Sequence, residues 1–247
     1  SKNIKFEQIV ILISIFISII WGSYNLNKFD KIKLNFKGQY YNQLLYHDLN
    51  SLWLTADKIR KNLKNEKSFI NSIPKYDKWF FPSIIVGYYY HLIDKEIYQT
   101  MENGDTVIKE KNFKFPLLIF QILIYFFALA LFFKEIKKKI NNKTFTVLVL
   151  FLCLEPSLLQ WHSSFWSESL FLSFMILIFY YLIKKDKKFY SFLIIGILVG
   201  LMYCQRAVSF FYIIPLIIYF ILEYKKKIKN YFLLFIGYGL VILTIGL

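Results

Sequence analysis

The residues able to do chemistry in this sequence are few and bunched. Glu155, Glu168 and Arg206 stand inside or at the ends of long apolar runs, with Gln160, His162 and Gln205 close by. A charge placed in a membrane-spanning helix costs roughly 2.5–3.5 kcal/mol on insertion scales, so each one needs a partner or a task. Arg206 is the sharpest signal. Apart from Arg60, the chain uses lysine for its basic residues. A guanidinium at this point offers paired N–H groups in one plane, suited to a phosphate or a carboxylate. Glu168 is followed by a run of apolar and hydroxyl residues and could position a substrate or pair with Arg206. Glu155 precedes Pro156 and could equally mark a helix end. Asp48 stands in Tyr46-His47-Asp48-Leu49-Asn50, at the head of a stretch to Leu63 that reads as a helix. There it either caps free N–H groups or takes a proton, as a general base, from an attacking hydroxyl or amine. Asp30, Asp57, Asp77 and Asp94 lie in lysine-rich surroundings and read as solvated. His47, His91 and His162 form no ligand pattern, and Cys153 and Cys204 lie in apolar segments without metal spacing.

The elements that position these residues are apolar runs. Clear segments cover about 6–22, 115–133, 144–159, 166–183, 189–204, 208–223 and 230–247, with a weaker, tyrosine-rich one from Trp79 to Ile93. Of the 247 residues 57% are hydrophobic, against about 45–50% in a soluble domain. A hydrocarbon core of ~30 Å takes roughly 20 residues of helix. Inside it the backbone must satisfy its own hydrogen bonds. The sequence therefore predicts an all-α integral membrane protein with about seven transmembrane helices. Its expected parts are a first transmembrane helix (1–22), a large outer loop with juxtamembrane helices (23–114) and a six-helix bundle (115–247). The first block lacks a small-residue cleavage site and reads as an uncleaved helix, not a signal peptide. The last apolar run, Gly237 to Leu247, has no polar tail, which suggests that a C-terminal part is missing.

Charge sets the orientation. The net charge of +15 does not point to nucleic acid, because the lysines cluster between apolar runs, where they act as topology signals and meet anionic headgroups. The lysine-dense connectors 134–143, 184–188 and 225–229, with Lys2 and Lys5, belong in the cytoplasm. One crossing by 6–22 and a return by 115–133 satisfy this only if 79–93 lies along the outer interface. Glu155, Glu168, His162 and Arg206 then share the outer face, under the 23–114 loop. The expected setting is the inner membrane of a bacterium, with the N-terminus cytoplasmic.

In this order the motifs resemble a family, the C-type multi-spanning glycosyltransferases that use polyprenyl-phosphate sugars. Protein O-mannosyltransferases and the aminoarabinose transferases of lipid A belong to it. The resemblance covers most of the chain. It rests on Asp48-Leu-Asn-Ser-Leu-Trp opening a loop helix and on the surface segment Trp79-Phe-Phe-Pro-Ser-Ile. It continues with Glu155-Pro-Ser-Leu-Leu, Trp166-Ser-Glu-Ser-Leu-Phe, and Ile195-Gly-Ile-Leu-Val-Gly-Leu running on to Gln205-Arg206-Ala207. It implies the N-terminal part of that fold, a catalytic Asp48, and Arg206, Glu168, Glu155 and His162 as substrate-binding residues. The implied partners are a polyprenyl-phosphate-sugar donor, a lipid, glycan or protein acceptor, and membrane lipids. Two positions depart from the family pattern. Leu49 stands where many members have a second acid, so no cofactor is assigned and a divalent metal stays open; Ala207 replaces the proline after the arginine. Members run to about twice this length, so the acceptor-binding C-terminal part is not expected within these residues.

Rival readings are a polysaccharide polymerase or ligase, also built from many spans with outer-face arginine, a transporter or flippase, and a non-catalytic scaffold. A transporter would place charges near the midplane and show internal repeats. A scaffold would have no need of polar residues gathered on one side.

Overall fold

Helix α1 (Phe6–Phe29) carries a line of small residues at every fourth position, Val10, Ser14, Ser18 and Gly22, and this line is its buried face. Small side chains let backbones approach closely in an apolar medium, and a Cβ on Gly22 would run into Leu118 of helix α5 (Phe115–Ile136). Ser14 is kept neutral to its surroundings by donating its hydroxyl to the Val10 carbonyl at 2.8 Å. The opposite face of α1 presents Leu12, Phe16 and Ile20, all exposed. The computed structural model describes residues 5–29, 33–36, 39–42, 47–65, 68–74, 80–100, 106–108, 114–161, 167–184, 188–205, 210–224 and 228–246.

Among the described residues between α1 and α5 stand two antiparallel hairpins and three helices. Strands β1 (Lys33–Phe36) and β2 (Gln39–Asn42) pair Lys33 with Asn42 and Phe36 with Gln39. After helix α2 (His47–Lys64), helix α3 (Phe69–Ser72) and helix α4 (Phe80–Leu92), strands β3 (Tyr98–Thr100) and β4 (Thr106–Ile108) pair Tyr98 with Ile108. Helices α2 and α4 pack on each other, and the Ser83 hydroxyl donates to the Leu52 carbonyl at 3.0 Å. Helix α4 closes on Asp94, whose φ of 48° is left-handed. There Lys95 N–H reaches the Tyr90 carbonyl and Asp94 N–H that of His91, both at 3.1 Å. This is the bonding of a Schellman turn.

The rest is a helical bundle: α5, α6 (Asn142–Leu154), the short α7 (Pro156–Trp161), α8 (Ser167–Ile183), α9 (Tyr190–Gln205), α10 (Phe210–Tyr224) and α11 (Ile228–Val241), which ends in a π-helical turn, Ile242–Gly246. Gly196 meets Leu234 and Gly200 meets Val241. Position numbers rise together, so α9 and α11 run parallel, with α10 as the return. One core joins α5 to α1, α6 and α8 through Ile122, Phe126, Leu129, Phe133 and Val149. A second holds α8 on α9 through Phe174, Ile178, Ile195 and Leu198. Exposed Phe127, Phe151, Phe211 and Leu222 leave the outside of the bundle apolar. Such a surface suits hydrocarbon, and the chain is a helical multi-pass membrane protein.

The expectation of about seven transmembrane helices is corrected. Among the described residues three helices are long and apolar enough to cross a membrane: Phe6–Tyr24, Phe115–Ile136 and Asn142–Leu159. The apolar stretches Glu168–Ile183, Tyr190–Gln205, Phe211–Glu223 and Lys229–Ile245 are shorter. The reason is geometric. The runs 166–183, 189–204 and 208–223 do form helices close to these bounds, Ser167–Ile183, Tyr190–Gln205 and Phe210–Tyr224, but they are shorter than the roughly 20 residues that a hydrocarbon core takes. Helix α9 has 16 residues, a rise of about 24 Å at 1.5 Å per residue, against a hydrocarbon core of ~30 Å. Helix α10 has 15, with Pro215 inside. The all-α expectation also passed over the two hairpins, although Lys33-Leu34-Asn35-Phe36 alternates polar and apolar residues with the period of a strand.

Candidate functional site

The ends of the bundle differ in chemistry. At one end, Lys137 Nζ donates to Glu7 Oε1 at 3.0 Å, tying the start of α1 to the end of α5. Lys138 pairs with Glu135 beside it at 2.9 Å. At the other, Leu52, Trp53 and Ala56 of α2, Val86 and Tyr90 of α4, Leu117 of α5 and Leu170 of α8 form one core. Lys114 Nζ lies 5.5 Å from the centre of the Trp53 ring. This loop end gathers the first turns of α5 and α8. The end of α11 reaches it as well, because Ile245 packs on Ile59, Ile73 and Ile84.

Glu168 is in the first turn of α8 and buried at 8% exposure, two residues before the core residue Leu170. Ser169 and Ser173 on the same helix are buried as well, and the Ser173 hydroxyl donates to the Ser169 carbonyl at 2.7 Å. Gln121, one turn inside α5 from Leu117, is fully buried. Glu155 follows α6 and accepts from the Leu158 N–H at 2.8 Å and from the Ser157 hydroxyl. Its carboxylate therefore caps the N-terminus of α7, where a negative charge and free N–H groups suit each other. Asp48 is the second residue of α2, one turn before Leu52; its backbone is described and its side chain is not. His162 and Arg206 lie outside the described residues. Gln205, immediately before Arg206, ends α9 and is buried at 1% exposure.

Two features escaped the sequence. Asp57 reads there as solvated, yet it is buried, with Arg60 Nε at 3.3 Å and Lys61 Nζ at 2.7 Å. The i, i+3 spacing of Asp57 and Arg60 was the available signal. The second feature is a cavity of about 210 Å³ between α8, α9 and α10. Met175, Ile178, Phe179 and Leu182 line it from α8, Val199 and Met202 from α9, and Tyr212, Pro215, Leu216 and Tyr219 from α10. Phe179 and Tyr212 are about half exposed, so this groove opens on the apolar outside of the bundle. No local pattern could announce it, because three helices distant in sequence build it. Among the described residues no three His, Cys, Asp or Glu side chains come together.

No curated protein and no solved structure matches the chain. A family profile does, that of dolichyl-phosphate-mannose-protein mannosyltransferases, over residues 106–246. The matched stretch runs from β4 through the whole bundle, including Glu155, His162, Glu168, Gln205 and Arg206, and leaves Asp48 and α2 outside it. With a polar loop end, an apolar groove between its helices and more than half of its length matched, the chain belongs to the dolichyl-phosphate-mannose-protein mannosyltransferase family.

Proposed function

We propose that the chain moves a sugar from a polyprenyl-phosphate donor to an acceptor at the outer face of the membrane. One observation carries this reading: Leu52 and Trp53 of α2 share a core with Leu170 of α8. That core joins the helix that bears Asp48 to the helix that bears Glu168. This supports a reading in which Asp48 and Glu168 serve one site.

The groove supplies what the donor's chain requires. It is apolar, it opens sideways, and an isoprenoid entering it stays in hydrocarbon throughout. Helix α9, which lines it, ends in Gln205, and Arg206 follows in sequence, where the lipid's phosphate would stop. The acceptor's hydroxyl or amine attacks the anomeric carbon, and the bond from that carbon to the phosphate oxygen breaks. Asp48 receives the proton. Arg206 holds the polyprenyl phosphate that leaves, and its fixed charge counts for more in a water-poor site. Glu168 orients the sugar or Arg206. Glu155, which caps α7, and His162 are assigned to substrate binding. Leu49 beside Asp48 provides no second acid to share a divalent metal with it.

The test is sugar transfer by membranes containing the chain, with a labelled polyprenyl-phosphate mannose donor. Asp48→Asn should abolish transfer while protein level stays normal, and Arg206→Ala should lower donor affinity. Near-normal transfer by Asp48→Asn would leave that residue only the helix cap.

A further inference from the structure

Gln205 is buried at 1% exposure, and neither Nε2 nor Oε1 of its amide finds a hydrogen-bond partner among the described residues. Buried polar groups are as a rule satisfied, and an orphan amide is costly. The orphan hydroxyls Ser18 and Tyr88 are single groups, whereas Gln205 leaves a donor and an acceptor open together.

Its place is specific. Met202 lines the groove from α9, and Gln205 follows three residues later on the same helix. Three residues turn a helix to within about 60° of the starting direction and advance it about 4.5 Å. The side chain therefore leaves α9 beyond the groove's lining residue Met202, on nearly the same side of the helix, one residue before Arg206 in sequence.

The guest's chemistry follows from the two open atoms. A phosphate or carboxylate only accepts, so it would satisfy Nε2 and leave Oε1 orphaned. An ammonium only donates and would do the reverse. A sugar hydroxyl donates and accepts at once. We propose that Gln205 reads a hydroxyl of the sugar carried on the lipid phosphate, and so takes part in choosing the donor. This rests on the groove being the carrier's site, as in the functional reading above.

The experiment uses the whole chain in lipid nanodiscs. Three kinds of probe are titrated: polyprenyl phosphate without sugar, polyprenyl-phosphate mannose, and the mannose lipid lacking one hydroxyl at a time. The variants are Gln205→Met, of similar length but without the amide, and Gln205→Leu. In the unmodified chain one deoxy lipid should bind roughly tenfold to hundredfold more weakly than its parent. In either variant that difference should vanish, while binding of the sugarless lipid stays unchanged. Thermal stability without ligand should not fall, because no internal bond is lost. A drop in Tm in both variants would give Gln205 a structural role and overturn the proposal. So would equal weakening of sugared and sugarless lipids, or deoxy discrimination that survives in the variants. If the unmodified chain binds none of the lipids, the functional reading itself is overturned, and this inference with it.

Discussion

Gly196 of α9 lies directly against the backbone of Leu234 on α11: a Cβ on the glycine would stand 2.9 Å from the Leu234 carbonyl carbon and overlap its oxygen. Gly237 makes the reciprocal approach, with 2.9 Å to the amide nitrogen of Ile197. Backbone, unlike a side-chain tip, cannot swing aside. Gly196→Ala and Gly237→Ala should therefore each destabilise the protein by about 1–3 kcal/mol, the usual cost of overpacking. Gly239, on the same helix as Gly237, has nothing within 4 Å of its would-be Cβ. Gly239→Ala should change stability by less than about 1 kcal/mol. Melting curves of the three variants in one detergent decide it; equal melting of Gly196→Ala and Gly239→Ala would refute the close approach.

Asp94 gives a backbone prediction. Its φ of 48° costs an ordinary L-residue roughly 1–2 kcal/mol and costs glycine nothing, while aspartate and asparagine tolerate it. Asp94→Gly should match or exceed the parent's stability, and Asp94→Val should lose about 1–2 kcal/mol. A valine variant as stable as the glycine variant would mean that the turn after α4 adopts another conformation.

Asp57 and Arg60 form a pair whose side chains are 9% and 7% exposed. Removing one partner leaves the other charge buried alone, typically a loss of 3–5 kcal/mol or about that. Asp57→Ala should reach that range. The double variant Asp57→Leu/Arg60→Met should recover most of the loss, because both charges leave together. Lys61 also pairs with Asp57, but its side chain is 64% exposed, and Lys61→Ala should change stability by less than about 1 kcal/mol. The measurement is a double-mutant cycle on chemical or thermal unfolding, and additive losses would show that the two charges are not coupled.

The same pair marks where the sequence stopped being legible. Lys58, Lys61 and Lys64 surround Asp57 in sequence and suggest water on every side. Burial comes from tertiary packing, as where α4, distant in sequence, packs across α2 at Leu52, Ala56 and Ile59. The helices of the bundle were readable because Leu, Ile and Phe fill their runs. How many of them cross was not: 166–183, 189–204 and 208–223 are as apolar as a spanning helix, yet they form helices of 17, 16 and 15 residues, short of the roughly 20 a hydrocarbon core takes. The groove was unreadable for a similar reason: Phe179, Met202 and Tyr212 are ordinary apolar residues until three helices bring them together. Arg206 and Glu168 stood out by type alone, since a charge beside an apolar run is conspicuous in any arrangement. Gln205, uncharged, becomes informative only when its amide is seen buried and unpartnered.

The orientation of the bundle is open to test through a single helix. Helix α5 has 22 residues and is long and apolar enough to cross the membrane. At ~1.5 Å per residue it rises about 33 Å, so its two ends belong on opposite sides whatever the other helices do. Lysines follow its C-terminus, with Lys137 held by Glu7 at 3.0 Å, and short lysine-rich connectors are retained in the cytoplasm. The loop end, with Trp53, Leu117 and Leu170, then faces outward, as the proposed transfer requires. Single cysteines test this at exposed positions, Glu96→Cys before α5 and Lys139→Cys after it. Cys153 and Cys204 are buried and should contribute little background. In intact cells an impermeant thiol reagent should label position 96 and spare 139; permeabilised cells should show both. Labelling of 139 alone would turn the bundle over and put the proposed site on the cytoplasmic face. Labelling of both in intact cells would mean that α5 does not cross at all.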